Sequence, residues 1–531
     1  MDRLPTFAGD NFRPESGPTA SSWYDFSAIV VCVVTGILAL ALGHLHQVGN
    51  WGAETDFYGA YAPQALNILS GKPYTYPHYP PGYMVVLAGT SFVTHDLFTA
   101  AKIISALATA CFGWLSYVLV RALFDRRLAF VSMLFVLLAL LPHSFLAATD
   151  MLANLCLVLP LWIFLRGKAT ATVCLQAGLA AGLAYLIRYN AVFVLAGIPM
   201  ALMFINPDHE SLKHRIVKSS VYLSSAFVVM LPWLIANWWM NGSPFASDLH
   251  RDIALHFYHP QSEGLGGNIE TEMGTRFNWI GEVLSYDPVK VLRKFVKDVL
   301  YNHVLKLTVN VIQFPAFLFV GAGLLLSLRQ PTRRYLTFLV VCGFGYCLHG
   351  LGPQAERFYF FLFPLFFLWV SVVPFFGDEA SSPFRAHILN KRLLLGWVVV
   401  GVLLFDSAYT SYGITSRLLN SDPKHLLELA EVLKVRSSPN DVIMAIKPHI
   451  GYLTNLKVVS AAVADSGDLY DQKMREQKVR YIVYSSHEAK YWEGLKALSD
   501  PAHVPKSFRL IYEHGPTDTL VYEIQKSSDG H

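Results

Sequence analysis

Long apolar runs separated by short basic connections fill the chain as far as about residue 412, and from Asp422 the pattern changes to that of a small water-facing domain. Stretches 26–48, 128–141 and 393–405 carry no Asp, Glu, Lys or Arg. About 20 such residues are needed for a helix to cross the hydrocarbon layer. The pattern predicts eleven spans, near 26–47, 98–122, 128–147, 151–166, 171–187, 190–205, 218–239, 304–328, 335–352, 358–376 and 393–412. The first follows a charged start and lacks a small-residue cleavage site, so it is expected to be an anchor and not a removed signal. Segment 80–93 is apolar but short, and is expected to be interfacial or re-entrant.

The tail reads differently. Periodicity predicts a helix at 424–435, strands at 442–446, 458–463 and 480–484, a helix at 488–498, and a hairpin pairing 508–513 with 519–524 across Gly515-Pro516-Thr517-Asp518. About 110 residues suffice to bury a core. The expected fold class is mainly α, a polytopic membrane protein with a small C-terminal α/β domain outside the membrane.

Lys and Arg set the expected orientation. Arg121, Arg126 and Arg127, Arg166 and Lys168, Lys213, Arg215 and Lys218, Arg329, Arg333 and Arg334, and Arg385, Lys391 and Arg392 fall on one side with Arg3 and Arg13. The opposite short connections hold isolated cations such as Arg188 and Arg357. The N-terminus is therefore expected in the cytoplasm and the tail in the periplasm or outside the cell, in the cytoplasmic (inner) membrane. The domains are a cytoplasmic segment 1–25, a membrane domain 26–412 with outer loops 48–97 and 240–303, and an outer domain 413–531.

Composition agrees. The chain has 531 residues, 53% hydrophobic and 15% charged, and its mean hydropathy is +0.38. A soluble protein would expose large apolar patches at these values. The net charge of +4 is small and dispersed, which argues against nucleic acid as a partner. All six cysteines lie in apolar segments, so neither a disulfide framework nor a thiolate metal site is expected. Asp287 and Pro288 can open a helix with Val289, Leu292, Val296, Val299 and Leu300 on one face and Lys290, Arg293, Lys294 and Lys297 on another. Such a helix suits the headgroup layer and anionic lipid phosphates, or a lid with a solvated charged face.

No soluble-enzyme signature fits, and Gly264-Leu-Gly-Gly267 is too short for a nucleotide fingerprint. What remains is a set of polar groups at outer helix ends. Glu54 and Asp56 open the first outer loop, Asp150 heads the fourth span, Arg188 ends the fifth and Arg357 sits at the tenth; His78, His143 and His349 lie at similar depth. Carboxylates at a membrane surface are costly to keep beside lipid. A carboxylate can take a proton from an incoming hydroxyl while fixed cations stabilise a departing phosphate. That chemistry is transfer from a lipid-phosphate donor. The plainer roles are caps for Asp56 and Asp150, pairing with Glu356 or snorkelling for Arg357, and belt positions for Trp51, Tyr79 and Tyr83.

The first loop, from Asp56 through Gly71 fifteen residues later to Tyr79-Pro80-Pro81-Gly82, resembles that of GT-C glycosyltransferases. The protein O-mannosyltransferases and the lipid A aminoarabinose transferases are the relatives in view. Ala148-Thr-Asp150 is similar to their second acidic loop, Pro232-Trp-Leu-Ile-Ala-Asn237 to a later segment, Glu356-Arg-Phe-Tyr to the late arginine helix, and 450–455 to the outer domain of bacterial members. The resemblance implies a polyprenyl-phosphate sugar donor, an acceptor lipid, glycan or protein, inversion, Asp56 as base, and Asp150 as supporting carboxylate. It departs where the lipid A enzymes carry Glu-Lys before Pro-Pro: this chain has His78-Tyr79. Arg357 and Arg188 are then the expected phosphate cations, and His78, Tyr79 and Tyr83 the expected cavity wall. Phe57 replaces the second acid of the family's Asp-Glu pair, which leaves Glu54 as a third candidate carboxylate. No cofactor is certain; a divalent metal stays open, although His78 and His143 alone make a poor ligand set. The rival classes are a transporter or lipid flippase, which would want midplane charges and repeated halves, and a non-catalytic assembly protein.

Overall fold

The computed structural model describes residues 18–52, 54–206, 208–258, 276–307, 316–329, 331–352, 355–375, 383–460, 474, 476–489, 498–502, 504–505 and 507–525. They form two compact units. One comprises residues up to Leu45 with Tyr74–Ser247 and Val289–Asn420; the other comprises His46–Pro73, Asp248–Pro288 and Ser421–His531.

The first unit is helical. Apart from α2 (Ala62–Leu69), which belongs to the other unit, the α-helices up to Asn241 are α1 (Pro18–Leu45), α3 (Gly82–Thr94), α4 (Leu97–Leu123), α5 (Arg126–Leu140), α6 (Asp150–Leu165), α7 (Ala171–Ile187), α8 (Val192–Phe204) and α9 (Leu212–Asn241), followed in this unit by helices Ala316–Ser327, Arg333–Leu348, Phe363–Val372 and Pro383–Asn420. Side chains at the turns start several of them. Asp96 accepts the Thr99 N–H at 2.7 Å, Asp125 that of Leu128 at 2.8 Å, and Thr332 that of Tyr335 at 3.1 Å. Gly242, in the left-handed region at φ 73°, ends α9.

Among the described residues, seven helices are long and apolar enough to cross a membrane: Trp23–Leu45, Leu97–Leu123, Arg126–His143, Leu212–Asn241, Arg333–Leu351, Glu356–Phe375 and one opening at Leu393. Four of the eleven expected spans are shorter helices, at Asp150–Leu165, Ala171–Ile187, Tyr189–Phe204 and Ala316–Ser327. Residues 308–315 of the span expected at 304–328 lie outside the described residues, as do Pro353 and Gln354. Segment 80–93 forms the 13-residue α3, about 20 Å long and too short to cross by itself. Large side chains such as Phe26, Val34, Ile37, Phe92 and Trp239 are exposed, as lipid-facing surfaces require.

Without a hydrophobic drive between helices in lipid, close backbone approach decides their packing. Gly178 and Gly182, a small-xxx-small pair on α7, lie against α9. A Cβ at Gly178 would stand 2.2 Å from the Tyr222 carbonyl oxygen, and one at Gly182 would stand 2.6 Å from that of Ala226. Gly323 meets the Trp369 carbonyl in the same way. Every residue of the Phe363–Val372 helix is buried, which makes it the centre of this unit.

The second unit carries a five-stranded sheet in the order β2-β1-β3-β5-β4, with β1 Val442–Ala445, β2 Lys457–Ser460, β3 Val479–Ser485, β4 Phe508–His514 and β5 Thr519–Ile524. β1 runs parallel to β2 and β3; β5 is antiparallel to β3 and β4. The expected hairpin is present, closed by a 3-10 turn at Gly515–Thr517, and the expected helix is His425–Arg436. Alternate residues face two cores. Val442, Met444, Ile482, Tyr484 and Tyr522 line one, while Ile443, Ala445, Tyr481, Val483 and Val521 pack against Leu426, Leu429 and Leu433 of that helix. A helix at His449–Thr454 was not expected from the pattern; Asn455, left-handed at φ 58°, ends it. Residues 490–497 of the helix expected at 488–498 lie outside the described residues, as do 461–463 of the second expected strand and Gly264–Gly267.

The helix contact at Gly178 yields a test. Gly178→Leu should lower the thermal midpoint of the detergent-solubilised protein by several degrees, since overpacking costs about 1–3 kcal/mol or more. Gly321→Ala, which meets nothing within 4 Å, should leave it unchanged or slightly raised. Fluorescence-detected unfolding reads both.

Candidate active site

In the helical unit the charged residues singled out from the sequence come together. α5 ends at Leu140, a 3-10 turn at Leu141–His143 follows, and the connection is tied to α4 by the Ser105 hydroxyl, which donates to the Leu146 carbonyl at 2.7 Å. Asp150 is the first residue of α6 and is 6% exposed. Arg188 stands where α7 ends, in extended backbone. Its Nη1 donates to Asp150 Oδ1 at 2.5 Å and to the Thr149 hydroxyl at 3.4 Å. Arg357, in the 3-10 segment Glu356–Leu362 that leads into the most buried helix, brings its Nη1 to 3.7 Å from Asp150 Oδ2. Both guanidiniums lie over the Phe358 ring, at 4.6 and 5.5 Å from its centroid. The Asn154 amide donates to the backbone carbonyls of Asp150 at 2.7 Å and Arg357 at 3.4 Å, which binds α6 to that segment.

Two guanidiniums against one carboxylate leave this trio net positive. Asp150 is thus a buried counter-charge that holds two arginines side by side, and its carboxylate is occupied by them. A planar fork of donors is the group that suits a phosphate.

The end of the first outer loop packs beside it. A Cβ at Gly82 would lie 2.4 Å from the Leu186 carbonyl oxygen, so only glycine lets the Pro-Pro-Gly turn sit against the end of α7. The Tyr189 hydroxyl donates to the Pro77 carbonyl at 3.2 Å and accepts from the Trp233 indole N–H at 3.2 Å. The Asn237 amide closes the turn after α9 by donating to the carbonyls of Pro244 and Ala246. His78 and Tyr79 are half-buried with their rings edge to face at 4.5 Å, whereas Tyr83 is wholly buried and is a core side chain. His143, adjoining Asp150, packs on Phe360.

The second unit holds Asp56 and Glu54, and here the two acids have different fates. Asp56 is half-buried and opens a single π-helical turn, Phe57–Tyr61. Glu54 is completely buried. Its Oε2 accepts from His46 Nε2 at 2.8 Å and from the Asn50 N–H at 2.9 Å. The other nitrogen of His46, Nδ1, lies 3.0 Å from Asp422 Oδ2. Burial would lower the His46 pKa, but hydrogen bonds to Asp422 and Glu54 outweigh it and raise the pKa to about 9. The imidazole is therefore protonated at neutral pH and donates from both nitrogens. His449 behaves in the opposite way: burial lowers its pKa to about 4, against the hydrogen bond to the Asn50 carbonyl, and it stays neutral.

His46, Asp422, His449 and Asn154 were not singled out from the sequence. Asn154 had a signal, one helical turn after Asp150; His46 and Asp422 are 376 positions apart and had none. Among the described residues no group of three or more His, Cys, Asp or Glu side chains is arranged to hold a metal ion.

Residues 78–236 match the family model of dolichyl-phosphate-mannose-protein mannosyltransferases. A search of curated proteins finds no match. In fold the chain is similar to ArnT from Cupriavidus metallidurans bound to undecaprenyl phosphate, with a TM-score of 0.59, 14% identity, and 97% of this chain and 100% of that one covered. It is also similar to the apo oligosaccharyltransferase of Archaeoglobus fulgidus, with a TM-score of 0.59, 14% identity, and coverage of 96% and 76%. The archaeal oligosaccharyltransferase AglB from Archaeoglobus fulgidus, in complex with an inhibitory peptide and a dolichol-phosphate, aligns with a TM-score of 0.56, 13% identity, and coverage of 97% and 75%. The resemblance expected from the sequence therefore holds at the level of the family model over 78–236 and of the fold over nearly the whole chain, which is similar to these membrane glycosyltransferases.

Proposed function

We propose that this protein is an integral-membrane glycosyltransferase that moves one sugar from a polyprenyl-phosphate donor to an acceptor hydroxyl outside the cytoplasm, with inversion. The observation that carries this reading is the convergence of Arg188 and Arg357 on the single buried carboxylate of Asp150. The match to a family named for dolichyl-phosphate-mannose, and fold neighbours holding undecaprenyl phosphate and dolichol-phosphate, support a lipid phosphate as the anion.

In this reading the acceptor oxygen attacks the anomeric carbon and the bond from that carbon to the phosphate oxygen breaks. The leaving oxygen keeps the electron pair, and the guanidiniums of Arg357 and Arg188 stabilise its charge. The acceptor's proton goes to the carboxylate of Asp56. Asp150 holds the arginines and takes no proton; Glu54, locked onto His46, takes none either. The asymmetry of Lys and Arg supports a cytoplasmic N-terminus and an outward tail. The segment Pro288–Lys297 supports a role at the headgroups: Val289, Leu292 and Val296 are exposed on one face, and Lys290, Arg293 and Lys297 are exposed beside them.

Mass spectrometry of envelope glycans and glycolipids, from cells with and without the protein, tests the reading and identifies the sugar linkage. Asp56→Asn should reduce that product by about 10²–10⁴-fold while undecaprenyl phosphate binding to the purified protein persists. An unaltered product overturns the role of Asp56, and identical glycans in both cell types overturn the transferase.

Arg357→Ala should weaken undecaprenyl phosphate binding by about tenfold or more, since a charge-assisted hydrogen bond contributes about 1.5–3 kcal/mol. Microscale thermophoresis with a labelled short-chain polyprenyl phosphate measures it. Arg188→Ala should in addition lower the thermal midpoint, because it leaves Asp150 buried with its nearer partner gone.

A further inference from the structure

The second unit contains a buried ionic cluster that the transfer reaction does not use. His46 follows directly on the last residue of α1, and its imidazolium is clamped between two carboxylates, Glu54 on the loop and Asp422 at the start of the tail. All three side chains of the clamp are inaccessible or nearly so: His46 and Glu54 are 0% exposed and Asp422 is 9% exposed. Burying three charges is expensive, and removing one partner of such a group is strongly destabilising. A clamp at this cost, on a nine-residue loop, fixes backbone.

The remaining contacts fix the same peptide from the other side. The Gly49 N–H donates to the Tyr58 hydroxyl at 2.8 Å, and the Phe57 N–H donates to the Glu54 carbonyl at 3.1 Å. The ring of Tyr58 lies 4.2 Å from His449 and 5.3 Å from Tyr452, while Phe57 meets Tyr452 at 5.5 Å. Trp51 lies 4.9 Å from His449. A Cβ at Gly49 would stand 2.7 Å from the Tyr58 ring and 2.9 Å from Glu54 Cβ, so the loop has no slack there. Asp56 is the residue between these two anchored stretches.

We propose that the His46–Glu54–Asp422 clamp and the His449–Tyr58–Tyr452 stack are a positioning device through which the C-terminal domain holds the Asp56 peptide in place for proton transfer. The proposal rests on the reading of Asp56 as the base. Asp422, His449 and Tyr452 become positioning residues of the tail, and Glu54 supports Asp56 without sharing its chemistry. A misplacement of about 1 Å at a reacting group is enough to lose on the order of 10²-fold in rate.

The protonation of His46 sets the pH range of the device. Glu54 and Asp422 face its two nitrogens, and Tyr58, Tyr452, His449 and Lys447 are the other titratable groups of the cluster. The folded pKa of about 9 is above the free value of 6.5, so the clamp's contribution is whole below pH 6.5 and is lost as pH rises through 9.

The test uses the full chain in lipid nanodiscs. Hydrogen–deuterium exchange is read over residues 47–61, with β1, β3 and α4 as internal references, and glycan product is read in complemented cells. Asp422→Asn and His46→Gln should each raise exchange over 47–61 at least tenfold, leave the references protected and lower product about tenfold; Asp422→Glu should recover most of both. Unchanged exchange over 47–61 in both variants overturns the clamp, whatever Asp56 does. A loosened loop together with an Asp56→Asn protein that still forms product overturns the catalytic reading and the positioning role with it. If a variant loses protection in β1 and β3 as well, the unmutated chain decides. After correction for intrinsic base catalysis, its exchange over 47–61 should rise between pH 7 and pH 10, and a flat profile overturns the proposal.

Discussion

A charged side chain taken out of water must be met by opposite charge, and this constraint organises both units of the protein. In the helical unit a buried carboxylate, Asp150, is met by two arginines. In the other unit a buried imidazolium, His46, is met by two carboxylates. The two arrangements are mirror images in sign, with different consequences. The arginines of the first are partly exposed, whereas the side chains of the second are sealed from solvent. Exposure is 16% for the Arg188 side chain and 23% for that of Arg357, against 0% for His46 and Glu54.

Packing serves the same end. Helices that share a lipid-like environment gain little from burying apolar area, so their relative positions are set by how close backbones come. Gly178 and Gly182 bring α7 against α9, and Gly82 brings the end of the first loop against the end of α7. Arg188 is the next residue after α7. The position of the Arg188 guanidinium beside Asp150 thus follows from three glycines that leave no room for a methyl group. The tail's sheet plays the corresponding part in the second unit. Its strands bury both faces, the His425–Arg436 helix covers one of them, and the rigid body so formed presents His449 and Tyr452 to the loop.

The membrane character, the strands of the tail and the first-loop resemblance were legible from the sequence because each depends on local order. Apolar runs are read residue by residue, strand alternation repeats every two positions, and the Asp56 to Gly71 spacing is contiguous. The short spans were legible in the same way: those expected at 151–166, 171–187 and 190–205 are the helices Asp150–Leu165, Ala171–Ile187 and Tyr189–Phe204, because each apolar run is bounded by polar or charged residues at both ends. The helix at His449–Thr454 escaped because it is six residues long and carries no amphipathic repeat. Tyr83 escaped because a tyrosine beside a Pro-Pro-Gly turn looks the same whether it lines a cavity or fills a core.

The amino-acid sequence alone determined that this chain lives in a membrane, that it ends in a small α/β domain, and that acids and arginines gather at helix ends in a GT-C-like order. Those properties are written in hydrophobic period and short-range spacing. Only the tertiary structure decided what each charge is for. Asp150 became a counter-ion for Arg188 and Arg357, and Glu54 a partner of His46. The reason is physical: the role of an ionised group depends on which opposite charges stand within about 4 Å and whether water reaches it. Those partners come from segments tens to hundreds of residues away, where no periodicity connects them.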